Sequence, residues 1–357
     1  MSSPSEKDRG MKALVRTARR EGAISVEEVE DPVVGPTDIR IHVRAAGVCG
    51  SDVGAYLGKP EYDFMDLPAI LGHEFAGVVD SVGDSVRTVE PGDRVVVQPG
   101  SPCGSCFQCF TGEENNCPEK GVSVDSGGFA PYSVVREDRV LPIPQEVSLE
   151  YAALTEPVAV TRRAVVENGD VSAGDSVLVQ GPGPMGALSG LVARAIGADV
   201  VVTGLPGDVG RLNQLSEAGV KTVMVSPETD PDEVVTKHAR RDGFDVCVDA
   251  TGASAGIRTA VATVREGGNV VLLGIVSEDV SLDLAGLVRS EIHLRTSHGA
   301  VKRDFIGALD LLRPPDPLPV DDLLDQRFSL SAPSEAFEAF AAAETIKPLF
   351  DPQELAE

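Results

Sequence analysis

Ser176-Val-Leu-Val-Gln180-Gly181-Pro-Gly183-Pro184-Met185-Gly186, followed by Ala-Leu-Ser-Gly-Leu-Val-Ala-Arg-Ala-Ile196, decides the fold class of this 357-residue chain. Ser176–Gln180 is an apolar run of strand length that ends in turn residues. Leu188, Leu191, Val192, Ala195 and Ile196 then recur at three- and four-residue steps, which is the helical period. Gly-x-Gly-x-x-Gly is a weak signal alone. Between a strand and a helix it is strong, because the glycines let a pyrophosphate approach the helix N-terminus and its free N–H groups.

Strand-like runs continue at Asp199–Thr203, Thr222–Val225, Asp245–Ala250, Asn269–Ile275 and Ile292–Thr296. With the first run they predict an α/β domain with six parallel strands in a doubly wound Rossmann sheet. In such a sheet the strand ends line the cofactor crevice, which nominates Thr251, Gly274 and Ile275 beside Gly181, Gly183, Pro184, Met185 and Gly186. The second strand ends in Thr203-Gly204-Leu205. An acid at this point bonds the adenosine ribose of NAD; Gly204 removes that acid and with it the repulsion of a ribose phosphate. Arg211 offers a planar fork for such a phosphate. The charge argument therefore favours NADP, with NAD kept open: Asp208 could replace the missing acid, and Arg211 could simply start the next helix.

The N-terminal part carries metal-binding residue types. Gly47-Val-Cys49-Gly-Ser51-Asp52 and Gly72-His73-Glu74-Phe-Ala-Gly77 supply a thiolate, an imidazole and a carboxylate, the ligand mix of a catalytic zinc that keeps a position open. Cys103, Cys106, Cys109 and Cys117 follow with Cys-x2-Cys-x2-Cys-x7-Cys spacing. Four thiolates so placed close a tetrahedron around a structural zinc and leave no site for substrate. The sixth cysteine, Cys247, falls inward on a strand and reads as core.

The pattern Gly-His-Glu-x2-Gly-x5-Gly-x2-Val from Gly72, the four-cysteine lobe and the glycine fingerprint together resemble the zinc-containing medium-chain alcohol and polyol dehydrogenases. The resemblance covers residues 11–357. It implies a GroES-like β-rich catalytic domain over 1–160, with 298–357 returning to it, and a Rossmann domain over 161–297. It implies hydride transfer between a CH–OH group and a nicotinamide. In that family a hydroxyl at the place of Ser51 bonds the substrate oxygen and passes its proton on; capping of a following helix is the other reading of Ser51. Leu154-Thr155-Glu156-Pro157-Val158 matches the segment entering the nucleotide domain. Glu156 there reads as a further zinc ligand, direct or through water, or as a helix-start acid. The same choice between direct and water-mediated contact holds for Glu74. The acid at Glu156 and the cysteine lobe favour a sugar or polyol substrate, with L-threonine or a simple alcohol as the alternative. A quinone-reductase-like or non-catalytic nucleotide-binding relative is the alternative of another class. Family members are commonly dimers or tetramers, which makes a homo-oligomer the expectation, with Asn269–Ile275 as the pairing edge. Ser297 and His298 are expected near the nicotinamide or in a plain turn.

Composition bounds the rest. There are 56 acids against 31 bases, a net charge of −25, and only eight of those bases are lysines. Such a surface repels nucleic acid and anionic membranes. Spread along the whole chain, it suits a high-salt cytoplasm, so a halophilic source is expected. No apolar stretch is long enough to span a bilayer, and Met1–Gly10 lacks a signal-peptide core and reads as a short leader. A cytoplasmic location follows as the expectation.

Overall fold

Alternating apolar and polar residues shape the N-terminal half. The computed structural model describes residues 10–63, 65–121, 127–324 and 326–355. It begins with β1 (Gly10–Arg16), β2 (Ile24–Glu30), β3 (Asp38–Gly47), α1 (Gly50–Tyr56), β4 (Ala69–Ile70) and β5 (Glu74–Val82). Next come β6 (Arg94–Val97), α2 (Phe107–Phe110), β7 (Tyr132–Arg136), β8 (Val140–Pro142), α3 (Leu149–Ala153) and α4 (Thr155–Arg162). Apart from Gly10, which opens β1, the expected leader lies outside the described residues. In β3, Ile39, Ile41 and Val43 are fully buried while Arg40 and His42 face the other side. His42 is not simply solvated, as its strand position suggests: its ring stacks on Tyr132 at 5.0 Å and bonds Gln353. β3 pairs antiparallel with β5, and β6 and β8 continue that sheet.

The chain then alternates strand and helix: β9 (Ser176–Gln180), α5 (Pro184–Ile196), β10 (Asp199–Gly204), α6 (Val209–Glu217), β11 (Lys221–Met224) and α7 (Pro231–His238). β12 (Phe244–Asp249), α8 (Ser254–Thr263), β13 (Val264–Leu272), α9 (Leu284–Arg289) and β14 (His293–Thr296) complete the domain. The six strands are parallel and ordered β11-β10-β9-β12-β13-β14, the predicted Rossmann sheet. β9 is buried along its whole length because helices cover both faces of such a sheet. Gly183 is the N-cap of α5, Pro184 starts it, and Gly197 at φ +100° ends it. One expectation is corrected. The strand expected over Asn269–Ile275 runs over Val264–Leu272 and is interior; β14 and β11 are the edges, and the four residues of β14 are all exposed.

Residues beyond this sheet return to the first. They form α10 (Lys302–Leu311), β15 (Arg327–Phe328), α11 (Pro333–Ala341) and β16 (Leu349–Phe350). β16 pairs antiparallel with the end of β3, Leu349 opposite Gly47. Phe305, Ala308 and Leu309 of α10 join Val158 and Ala159 of α4 in a core that runs from Ala76 and Val96 to Val177 and Val200. Above it, fully buried Asp304 meets Arg162 at 2.9 Å and Arg163 at 3.4 Å. Arg163 reaches on to Glu113 at 2.5 Å, Glu113 meets Arg303 at 3.1 Å, and Asn115 Nδ2 donates to His298 O at 3.0 Å. The cysteine lobe is thereby tied to the joint between the sheets. Among the described residues, no helix is long and apolar enough to cross a membrane.

Candidate active site

The register of β3 on β5 assembles the site. Gly47 lies opposite Glu74, so the loop leaving β3 and the residues entering β5 meet. A Cβ on Gly47 would fall 2.5 Å from Glu74 Oε2, so only glycine permits this approach. Ligand atoms of Cys49, His73 and Glu74 all lie within 4.8 Å of one another. Cys49 is the N-cap of α1, and Asp52, buried one turn on, accepts a hydrogen bond from Cys49 N at 2.9 Å. Asp52 also faces His73 Nδ1 at 3.9 Å. Lys347, just before β16, is buried; its Nζ donates to Val48 O at 2.9 Å and contacts the Glu74 carboxylate.

The electrostatics show how crowded this point is. Burial pushes Glu156 up to about 7, only partly opposed by His73. Burial likewise raises Asp52. For His73, burial works against the charged form, but the Cys49 thiolate, then Asp52 and Glu156, outweigh it and hold the imidazole well above its ordinary range. Lys347 is raised in the same way: burial opposes its charge, and Glu74 and then Cys49 prevail. Apart from Lys347, no donor among the described residues reaches either oxygen of Glu74, which is fully buried. A soft sulfur, an imidazole and an under-satisfied carboxylate fit a zinc ion. Glu156, in the first turn of α4, lies close enough to act on His73 but outside the three-residue cluster.

The second cluster also fits zinc. Ligand atoms of Cys103, Cys106, Cys109 and Cys117 lie within 4.8 Å of one another. Cys117 Sγ is 3.7 Å from Cys103 Sγ and 3.8 Å from Cys106 Sγ. Four sulfurs held about 2.3 Å from a central ion stand about 3.8 Å apart. Backbone N–H groups of Cys103 and Cys106 already point at cluster sulfurs. Hydrogen bonds from Ser105 and Cys106 draw the Cys103 thiol down to about 6.

Comparison with known proteins accords with this geometry. The family model "Alcohol dehydrogenase GroES-like domain" matches residues 35–145, and "Zinc-binding dehydrogenase" matches 184–313. The chain is 32% identical to a sorbitol dehydrogenase of Halalkalibacterium halodurans over 96% of this chain and 99% of the relative. It is 31% identical to an L-threonine 3-dehydrogenase of Mesorhizobium japonicum over 96% and 98%. The chain belongs to the zinc-containing medium-chain dehydrogenases. The crystal structure of 2R,3R-butanediol dehydrogenase from Bacillus subtilis superposes with a TM-score of 0.85 at 28% identity, covering 96% of this chain and 99% of that one.

In this dehydrogenase the residues expected to bind a nucleotide gather at the C-terminal ends of the parallel strands. The sheet order reverses between β9 and β12, the place where ligand crevices open in such sheets. Gly181, Gly183, Pro184, Met185 and Gly186 surround the start of α5, whose N-cap glycine leaves the first N–H groups without a side-chain cap. A Cβ on Gly186 would stand 1.7 Å from Gly181 O, so the turn tolerates nothing larger. Gly204 ends β10, while Thr251, Gly274 and Ile275 follow β12 and β13. Arg211 departs from the expectation of a free fork. Its Nε and Nη2 donate to Thr345 O at 3.0 and 2.9 Å, and Nη2 also reaches Phe340 O at 2.8 Å, so the guanidinium is committed to the C-terminal return. Ser297 takes a hydrogen bond from Asn168, and His298 O takes one from Asn115 of the cysteine lobe, so His298 belongs to the joint between the sheets. Ser51 is the second residue of α1, not its cap.

Sequence reasoning missed two groups that support the metal residues. Asp52 carried a signal, since an Asp three residues after a helix-opening Cys suits a bond back to the Cys amide. Lys347 carried one as well, a lone cation within Ile346-Lys347-Pro348-Leu349-Phe350, but nothing in the sequence named Glu74 as its partner. Replacing Lys347 by Met strands a buried carboxylate. The variant should lose about 3–5 kcal/mol of stability in denaturant unfolding of the metal-free protein, and adding Glu74→Gln should recover part of it. A loss below about 1 kcal/mol, the range of an exposed pair, would show the contact to be incidental.

Proposed function

We propose that this dehydrogenase oxidises a secondary hydroxyl of a sugar or polyol, with NADP as the preferred acceptor. The observation that carries this reading is the carboxylate-rich metal pocket: Cys49, His73 and Glu74 cluster, and buried Glu156 and Asp52 stand around them. Kinship with the sorbitol and butanediol enzymes supports the substrate class. Cys49, His73 and Glu74 would hold one zinc, with Glu156 as a direct or water-mediated partner; Cys103, Cys106, Cys109 and Cys117 would hold another. A zinc bound in the first site supplies Lewis acidity that lowers an alcohol's pKa, and the nicotinamide supplies the hydride acceptor.

The chain's own residues do the remainder. Ser51, whose hydroxyl both donates and accepts, takes the proton from the substrate hydroxyl while passing its own to water, since Val53-Gly54-Ala55-Tyr56 offers no histidine to receive it. Asp52 orients the Cys49 loop through the Cys49 amide and stands beside the His73 ring. Lys347 holds Glu74 from behind. A cleft of ≈ 670 Å³ reaches His73 and Asp52 and has room for a polyol. Gly204 places no carboxylate where the adenosine ribose would lie, which supports NADP. Asp208 is the opposing charge; it accepts a hydrogen bond from Leu205 N at 3.0 Å beside Gly204. The homo-oligomer reading rests on β14, whose exposed edge can pair with a second copy about a two-fold axis.

Four measurements test these readings. Reduced-nicotinamide absorbance, followed with polyols, sugars, L-threonine and monohydric alcohols in multimolar KCl and in low salt, should show highest kcat/KM with a polyol or sugar. Activity should depend on salt, and metal analysis should find two zincs per chain; preference for L-threonine would replace the substrate reading. Asp208→Asn should raise the NADP-to-NAD ratio of kcat/KM severalfold by removing a negative charge near the ribose; an unchanged ratio would remove Asp208 from cofactor choice. Light scattering should give a dimeric or tetrameric mass, and a monomer would refute pairing at β14.

A further inference from the structure

Gly54 lies on α1 three residues after Ser51, so the two share a helix face. A Cβ on Gly54 would fall 2.1 and 2.3 Å from Cε2 and Cδ2 of Tyr62, and 2.9 Å from its Cζ. The tyrosine ring thus fills the volume that any other residue at 54 would occupy. Tyr62 closes a short 3-10 turn, Pro60–Tyr62, and that turn is pinned from β1. Arg16, fully buried, donates from Nη1 to Tyr62 O at 2.6 Å and from Nη2 to Asp63 Oδ1 at 2.8 Å. Arg19 donates from Nε to Asp63 O at 3.2 Å and from Nη2 to Met65 O at 3.0 Å. Two arginines hold this turn, one of them taken wholly out of water, where a charge must be well paired to be tolerated.

The phenol hydroxyl is treated differently from the backbone beneath it. It has no hydrogen-bond partner among the described residues. Burial, and then the Cys49 thiolate, push it above its ordinary range, which locates the ring within electrostatic reach of the metal pocket. A fixed ring beside Ser51 with an unengaged hydroxyl is suited to a ligand that brings its own hydrogen-bonding group.

The geometry points to Tyr62 as a specificity residue: its hydroxyl bonds a second hydroxyl of the substrate, beside the one oxidised, while Gly54 and Arg16 hold the ring for that contact. This inference rests on the polyol reading above. Phenol and alcohol can each donate and accept, so the contact suits a diol and offers nothing to a monohydric alcohol. Gly54 is the positioning element, since it alone makes room for the ring.

Steady-state kinetics with butane-2,3-diol and butan-2-ol, which differ by one hydroxyl, test it. Tyr62→Phe keeps the ring and removes the hydroxyl. It should lower kcat/KM for the diol about tenfold and leave butan-2-ol within about twofold. Gly54→Ala, which favours the helix and so should fold, displaces the ring and should produce the same selective loss. Equal losses on both substrates, or an unchanged diol rate in Tyr62→Phe, would overturn the inference while leaving the polyol reading intact. A wild-type enzyme that turns over butan-2-ol and ignores the diol would overturn the polyol reading and the inference with it.

Discussion

Four acidic groups crowd one part of this molecule, and the rest of the structure has to make that tolerable. Cys49, Asp52, Glu74 and Glu156 meet where β3 passes β5, in a region from which water is largely excluded. An unpartnered buried carboxylate costs several kcal/mol, so the arrangement needs cations close by. Among the described residues Lys347 supplies such a charge beside Glu74, with its acceptor Val48 O 299 positions away in sequence, and the His73 imidazole faces Asp52. The donor set left facing the centre suits a dication. The affinity for zinc and the need for the C-terminal return therefore arise from the same crowding.

That constraint explains the path of the chain. After building a whole parallel sheet, it comes back to add β16 to the end of β3, because this is how Lys347 is delivered beneath Glu74. The return also covers Phe129 and Phe337 with Phe350, at ring separations of 5.0 and 6.2 Å, so the cation arrives with an apolar anchor. On the other side, Asp304, Arg163 and Glu113 link α10, the end of α4 and the cysteine lobe. The two sheets are thus joined by a shared core and an ion network around buried Asp304.

Much of this was legible in the residues themselves. Val177 to Val179 followed by the Gly181–Gly186 turn required a strand, a tight turn and a helix start, because few other local structures use that pattern. Cys103, Cys106, Cys109 and Cys117 sit close enough in sequence that local loop geometry alone brings their sulfurs together. Cys49, His73 and Glu74 were readable as donor types although a helix and a strand lie between Cys49 and the other two. Arg211 was read as a phosphate fork because its charge and position allow it; the carbonyls that engage it come from residues 340 and 345, which no local pattern connects to it.

The sequence by itself determined the local grammar: which segments are strands, where the glycine turn opens a helix, and which side chains can ligand a metal. Backbone sterics and side-chain period act over a few residues, so they can be read in one dimension. Only the tertiary structure decided that Lys347 partners Glu74, that Arg16 pins the turn bearing Tyr62, and that β14 is an exposed edge of the sheet while β13 is interior. Those are contacts between segments far apart in the chain, selected by strand register and by the cost of leaving a buried charge or polar group alone.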